Sequence, residues 1–595
     1  MAVFDDARKR RWRRLIRRQR QTAGELGQQA DDKIEKLLLR RLDRLISVRR
    51  FVSLWTMLVF LLLASIIFQV RALSPHYQIL RPVSGGLFSE GLVGKFTNAN
   101  PIYATGTADS AVSRLLFPGL LKHNRHNRLV GDLASRWRVS KDKLTYVVDL
   151  KRTVKWHDGQ PLTANDVVFT YKTIQNGQAQ SPLRPGWRGI NVKKSGNYQV
   201  SFNLPDAFTP FPHSLTNGIV PAHLLDNIEP AKLRTSDFNI KPVGAGPFAW
   251  QFVEVSGISA ASRQQRIGLT ANDDYFGGRP KLDGFSIIVF ADEQQMINVF
   301  ANKQLNAISN VESLPDKLLE DNEIQVYPTH LNSIVMAFFN NSITPLGDRT
   351  VRRALVQAVD TKRLINLFDY PTNLADAPLL RGQLGYDRHA GQFPYNPKAA
   401  KNLLQQTGWR VEASGQRFRA KLPLQMTMRT QDNPDYAKVA QFLQDQWRKI
   451  GAKVDVRYYS ADDLQSQIIA NHDYDILLYG ISIGVDPDIF AYWHSSQASI
   501  SSQGHLNLSE YQSTIADQAL ASARTRTQDK ARATKYERFL RVWRTDAPAL
   551  ALYQPNLLYV SRGPIFNFER RADTDSADRF YNVQNWMIRQ ARQTK

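Results

Sequence analysis

Between Leu133 and Ile174 the chain changes period twice. Leu144, Tyr146, Val148 and Leu150 alternate with polar residues, the repeat of a strand with one buried face. Trp137 and Val139 predict a second short strand, and the polar run Ser140 to Lys143 suits the turn between them. A second turn is predicted at His157-Asp158-Gly159-Gln160-Pro161, because Asp and Gly adopt tight-turn backbone geometry at little cost. Thr163 precedes Asp166 by three residues, the spacing of a capping box. Val167, Val168, Tyr171 and Ile174 then follow at helical spacing.

The same grammar recurs downstream. Asp348 is placed to cap RTVRRALVQAVD, where Val351, Leu355, Ala358 and Val359 share a face. Asn396-Pro397 predicts an N-cap with Pro in the first turn, and Gly408 ends that helix; Asn433-Pro434 repeats the device. Val439, Leu443, Trp447 and Ile450 form one apolar stripe, closed by Gly451. The strand AKVDVRYY comes next, then a helix from about Asp462 to Asn471 and the apolar run DILLYGISI. Strands alternating with helices predict an α/β architecture.

One segment breaks this pattern. Phe51 to Val70 carries no charge over 20 residues, enough at about 1.5 Å per residue to cross a hydrocarbon layer of roughly 30 Å. A cleaved signal peptide has a shorter basic leader and apolar core; here 50 residues precede the run, so an uncleaved signal anchor is expected. Arg and Lys dominate the N-terminal flank, which predicts residues 1–50 in the cytoplasm and the C-terminal body exported, in a single-pass cell-membrane protein. Residues 8–20, RKRRWRRLIRRQR, suit an anionic lipid surface. Ile34, Leu38, Leu42 and Leu45 predict an amphipathic juxtamembrane helix. Two Pro and a Gly pair predict an irregular linker at 71–84.

Charge and composition narrow the chemistry. The chain has 595 residues and a formal net charge of +24. Residues 1–50 hold 16 Lys/Arg against 7 Asp/Glu, so much of the excess belongs to the leader. No zinc-finger spacing or RNA-recognition signature accompanies the charge, and nucleic acid is not an expected partner. The absence of cysteine excludes disulfides, thiolate metal sites, a cysteine nucleophile and a lipoprotein anchor. His157-Asp158 reads as a turn and not as an acid–base pair. The run HNRH, with His123 and His126, reads as an exposed loop and not a metal site. No nucleophile elbow, phosphate loop or zinc-protease motif occurs, so an enzyme is not expected, nor a cofactor or a metal.

Several segments carry a resemblance. Trp156 to Val167, WHDGQPLTANDV, resembles the W/F-x-D-G-x-P-L-T-A-x-D-V signature of the family 5 extracellular solute-binding proteins, the peptide-, nickel- and oligosaccharide-binding receptors of ABC importers. Pro242 to Phe248, PVGAGPF, is similar to the family's P-V-G-T-G-P-Y, and NDDYFGGRPKL at 272–282 to N-x-x-Y-W-G-G-x-P-x-L. FFNNSITPLGDRTVRRALVQAVD, YNPKAAKNLLQQTGW, and Asp486-Pro487-Asp488 through Trp493-His494-Ser495-Ser496-Gln497 resemble three further family elements.

The resemblance implies a two-lobed periplasmic-binding-protein-like fold of the large three-subdomain class II type, after one transmembrane helix. It implies lobe I at 85–114 with 226–332 and 555–595, an insert subdomain of lobe I at 115–225, and lobe II at 333–554. The implied function is a membrane-anchored receptor that binds a peptide or other small solute in the interlobe cleft. It would deliver the solute to ABC permease subunits driven by a separate ATPase. A membrane-tethered sensory or scaffold ectodomain is the alternative. In the peptide-binding branch an Asp three residues before the Asp-Pro pair holds the ligand ammonium; here that position is Ile483, which favours long ligands or ligands with uncharged ends. Candidate cleft residues are Tyr479, Ile481 and Ile483 at the end of an apolar strand, and Tyr492 and Trp493 as flat walls. Asn340 and Asn341 are candidate amide partners of a ligand backbone, and Asp486 is retained, in a turn with Pro487.

Overall fold

The computed structural model describes residues 49–594 except 260–261, 312–313, 369, 371 and 502–505. The cationic run and the juxtamembrane helix expected before residue 49 lie outside the described residues. The chain divides into two compact units. The smaller contains the helix Arg49–Tyr77, which includes an apolar stretch Phe51–Gln69 long enough to span a membrane. The linker expected at 71–84 is not irregular: the helix runs on to Tyr77 and Gln78–Val83 is a strand, because pairing with the distant Arg589–Thr594 orders a segment whose Pro residues read locally as a break.

The larger unit, Pro82–Arg589, is built on three sheets. The first lobe has seven strands in the order Ile324–His330, Asn556–Arg562, Ala307–Val311, Leu87–Val93, Gly284–Phe290, Gln264–Ala271, Phe248–Ser256. Leu87–Val93 runs parallel to both neighbours in its centre; Phe88 and Leu92 are wholly buried on one face and Gly91 is buried on the other against Met296, Leu305 and Ile308, as a strand covered on both faces requires. The second lobe has six strands, in the order Asn373–Leu374, Ala549–Gln554, Ser333–Phe339, Ile476–Ser482, Gln425–Gln431, Lys453–Tyr459.

A four-stranded antiparallel sheet forms the insert: Ala134–Val139, Thr145–Leu150, Gln199–Asn203 and Asn191–Gly196. Its hairpin buries Tyr146, Val148 and Leu150, the alternation expected from sequence. Both halves of the capping box form: Thr163 N donates to Asp166 Oδ2 at 2.8 Å and Asn165 N to Thr163 Oγ1 at 3.3 Å. The helix Ala164–Gln175 then packs Tyr171 against Trp187, with ring centroids 4.1 Å apart. His157 is held structurally, its Nδ1 accepting from Gly244 N at 3.1 Å. His123 departs from the exposed-loop reading of HNRH. It stacks on His213, and burial, then His213 and Arg571, hold its imidazole down at about 4. His126 is exposed.

Two segments cross between the lobes, residues 331–332 and Pro555, each only one or two residues beyond a strand end. They are tied to each other: Leu331 N donates to Pro555 O at 3.0 Å and Gln554 Nε2 to Leu331 O at 2.8 Å. A third strand of chain straps them, since Asn332 N donates to Asp573 O at 2.7 Å and Asp573 N to His330 O at 3.0 Å.

Two buried acids make the first lobe electrostatically demanding. Glu90, 0% exposed at the centre of the seven-stranded sheet, accepts from Tyr559 Oη at 2.8 Å and pairs with Arg579. Removing one member of a buried pair strands the other charge. Glu90→Ala should therefore cost about 3–5 kcal/mol in urea unfolding, whereas replacing both partners with apolar residues should cost much less; equal losses in the two variants would refute this assignment. Asp573 is 2% exposed, 3.2 Å from Arg571. Burial, then the neighbouring Asp578 charge, push its carboxyl up to about 7 against the opposing pull of Arg571. The folded chain thus keeps a proton that the unfolded chain releases near its ordinary value of about 3.9, so wild-type stability falls as pH rises from there to about 7 and levels off above. Asp573→Asn cannot titrate, and its unfolding midpoint should gain on the wild type across that window; a constant offset from pH 4 to pH 8 would show that Asp573 does not titrate so.

Candidate functional site

A cavity of about 430 Å³ opens where the two crossings pass between the lobes. Asn310, Val311 and Asn556 to Leu558 line it from the first lobe, Leu331 and Pro555 from the crossings. The second lobe contributes Val335, Tyr370, Gln431, Asn433, Asp435, Tyr436, Tyr553 and the strand end Gly480-Ile481-Ser482. The size lies in the range of ligand sites, roughly 300–1,000 Å³.

That strand end presents backbone. Ile476–Ser482 pairs along its whole length with Ser333–Phe339, but its other neighbour, Gln425–Gln431, pairs only with residues 476 to 478. Ile483 N donates to Asn332 O at 2.8 Å, so the odd-numbered amides point towards the paired side. Gly480 and Ser482 therefore turn their amide and carbonyl groups towards the open side. The hydrogen bonds there agree: Thr430 Oγ1 donates to Leu478 O at 3.0 Å and Tyr492 Oη to Ser482 O at 2.7 Å. A Cβ at position 480 would lie 3.0 Å from Tyr436 Oη, so Gly is what lets the backbone approach the tyrosine this closely.

The opposite wall carries an unpaired acceptor. The ladder between Ala307–Val311 and Asn556–Arg562 slips by one residue at Asn310, which takes a left-handed φ of 61°. Bulges of this kind re-aim side chains. Asn310 Oδ1 is buried without a hydrogen-bond partner among the described residues, a costly state that a ligand donor would relieve.

Carboxylate and aromatic groups gather on the third side. Asp435, capped into the first turn of Pro434–Arg448 by Asn433, accepts a hydrogen bond from Tyr370 Oη. Tyr370, Tyr436 and Tyr553 line the cavity together with Asp435, and burial, then Tyr436, Tyr370 and Asp435, push the Tyr553 hydroxyl far up. Asp435 is the single charged side chain among the described residues of the lining.

The expected site residues are scattered by this geometry. Ile481 lines the cavity. Tyr479, Ile481 and Ile483 share the other face of the strand and pack with Trp493 in a second-lobe core. Trp493 is 0% exposed, stacked on Phe338 with centroids 5.9 Å apart, and is a core residue, not a wall. Tyr492 reaches the open strand edge through its hydroxyl. Asn340 and Asn341 follow Phe339, seven or eight residues along the strand from Ser333, roughly 23 Å or more from the cavity end at about 3.3 Å per residue. Asn340 there donates to Tyr474 O at 3.2 Å, and Asn341 N to Ser509 O at 2.9 Å, as strand-end fasteners. Asp486 is held by both ends of the Arg532 guanidinium, at 2.9 and 2.7 Å. Gly480, Ser482, Asn310, Asp435 and the three tyrosines line the cavity with no motif to mark them in the sequence. The glycine inside an apolar strand was the one available signal.

The lobes also meet across the mouth of the cleft. Thr209 of the insert donates through N to Arg524 O at 2.9 Å and through Oγ1 to Arg526 O at 3.0 Å, and Lys143 Nζ donates to Thr525 O at 3.2 Å. His213 lies 3.7 Å from Asp486, but burial holds its imidazole below the ordinary value, with Asp486 opposing, so the contact is not a full ion pair at neutral pH.

Residues 128–502 match the family model of the bacterial extracellular solute-binding proteins, family 5, middle region. The chain is 28% identical over 533 residues to the oligopeptide-binding protein AppA of Bacillus subtilis (strain 168), covering 85% of this chain and 92% of that one. The solved structure of AppA from Bacillus subtilis in complex with a nonapeptide superposes with a TM-score of 0.68 at 27% identity, over 86% of this chain and all of that one. NikZ from Campylobacter jejuni, solved in complex with Ni(L-His), gives 0.70 at 25% identity, over 84% of this chain and 99% of that one. The likeness spans both lobes and the crossings that frame the cavity, and the chain belongs to the family 5 bacterial extracellular solute-binding proteins, which are receptors and not enzymes.

Proposed function

We propose that the cavity takes a peptide or peptide-like solute, and that the chain serves as the membrane-anchored receptor of an ABC importer. The open strand edge at Gly480 and Ser482 carries this reading. An extended ligand can add to it as a further strand, satisfying its own main chain whatever its side chains are. Asn310 offers an acceptor from the facing lobe, so one ligand touches both halves. A ligand shifts the lobes only as far as it prefers the closed arrangement, and contact with both walls supplies that preference. Permease subunits with a separate ATPase would then accept the closed form.

The anchor in this reading is the apolar stretch Phe51–Gln69, about 28 Å long at 1.5 Å per residue. The arginine-rich flank keeps residues 1–50 in the cytoplasm, with residues 8–20 against anionic lipid, and places the two-lobed body outside.

Full-length protein in detergent should bind random-sequence pentapeptides or nonapeptides by calorimetry, and mass spectrometry of the denatured protein should reveal co-purified peptide. Gly480→Val fills the gap beside Tyr436 and should weaken binding at least tenfold while leaving the unfolding midpoint within a few degrees. A wild-type protein that neither carries nor binds any peptide defeats the reading. For topology, protease added to intact spheroplasts should digest the body and spare the leader; the reverse pattern would overturn the orientation.

A further inference from the structure

We infer that Asp435, enclosed by Tyr370, Tyr436 and Tyr553 beside the open edge at Gly480, is the subsite for an alkylammonium group of the ligand. The inference rests on the peptide reading and deepens it. Ile483 stands where the resemblance places an ammonium-binding Asp, and it is buried in the second-lobe core with its amide committed to Asn332. A ligand ammonium needs a partner elsewhere, because an unpaired buried charge is costly.

Among its described lining residues the cavity contains one group able to supply it. Asp435 is half-buried, and no Lys, Arg or His is present among the described lining residues to neutralise it. Tyr370 donates to its carboxylate, which orients the group. Tyr370, Tyr436 and Asp435 line the same volume, with Tyr553 at its floor in the second-lobe core, and a carboxylate set among phenol rings is a combination that attracts organic cations. Each tyrosine is tied to the framework. Tyr436 lies against Gly480, Tyr553 pairs with Val335 and Leu374 in the second-lobe sheet, and Tyr370 is joined to Asp435. The subsite therefore exists before ligand arrives, and little ordering remains to be done on binding.

Position along the ligand follows from the strand edge. Tyr436 borders Asp435 and sets its hydroxyl beside the Gly480 amide, so a ligand paired to the Gly480 carbonyl and the Ser482 amide brings its next groups to the carboxylate. Two parts of a peptide carry an alkylammonium: the chain terminus and a lysine side chain.

Calorimetry on the full-length protein in detergent separates these sources. The probes are a lysine-free nonapeptide pool, its N-acetylated copy, and a lysine-containing pool with acetylated termini. Terminal recognition predicts tenfold or greater weakening on acetylation of the lysine-free pool. Recognition of the side chain predicts that the acetylated lysine pool binds tenfold or more tightly than the acetylated lysine-free pool. In either case Asp435→Asn, which keeps shape and hydrogen bonding, should abolish the difference between pools while leaving the weakest pool unaffected. Tyr370→Phe should reduce the difference only in part, and both variants should unfold within a few degrees of wild type. Pools that bind wild type equally well, or differences that survive in Asp435→Asn, overturn the subsite and leave the peptide reading standing. Absence of binding by every pool to wild type removes both.

Discussion

The architecture depends on two crossings that are hydrogen-bonded to each other. Leu331 and Pro555 pass between lobes side by side, and each leaves a strand of one sheet to enter a strand of the other within two residues. Such short connections force the ends of both sheets to face one another across a narrow gap. The gap cannot be filled by either core, because the strands that border it are already committed to neighbours. What remains exposed at its walls is what strand ends expose: backbone amides, carbonyls and the turns that follow. A recognition surface made of main chain is a consequence of how the lobes are joined, before any side chain is chosen.

Side chains then refine that surface by small departures from regularity. The slip at Asn310 costs a left-handed backbone and leaves a buried acceptor without a partner. Gly480 gives up a packing side chain inside an otherwise apolar strand. Both are unfavourable for the isolated fold, since strained backbone and unmatched polar groups each cost on the order of 1–3 kcal/mol. They converge on one cavity, while Glu90 and Asp486, which do not line it, each have a counter-ion in Arg579 and Arg532.

The legible part of the fold was its local part. The hairpin before the Thr163 cap, the Asn396 and Asn433 caps and the Gly408 and Gly451 terminations are decided within a few residues, and each formed as the spacing predicted. The site was less legible because a strand has two faces and sequence does not say which is functional. The apolar residues at 479, 481 and 483 read as a ligand wall; Ile481 does line the cavity, but apolar side chains are also what a core takes, and all three pack with Trp493 in the second-lobe core. Functional parity lay with Gly480 and Ser482, whose contribution is backbone. Asn310 is set by pairing to a strand some 250 residues away, and Asp435 reads locally as a first-turn helix residue. Neither placement is encoded in its neighbourhood.

Charge gives the closing equilibrium its direction. Contacts across the mouth are hydrogen bonds to carbonyls, one of them from the Lys143 ammonium, with Arg524 over the Phe208 ring and His213 held largely neutral beside Asp486, so none sets one full charge against another. Asp486 itself carries its counter-ion on the same lobe and gains little from closure. Asp435 differs, because no cation among the described lining residues accompanies it into the cavity. Shutting the lobes without ligand draws water away from that carboxylate and is penalised; shutting them on an ammonium replaces the lost hydration with a partner and strengthens the attraction as the local dielectric falls. The closed state is thus favoured by cargo through the same group that resists closing empty. That is the differential affinity a receptor needs if its closed form is to report occupancy.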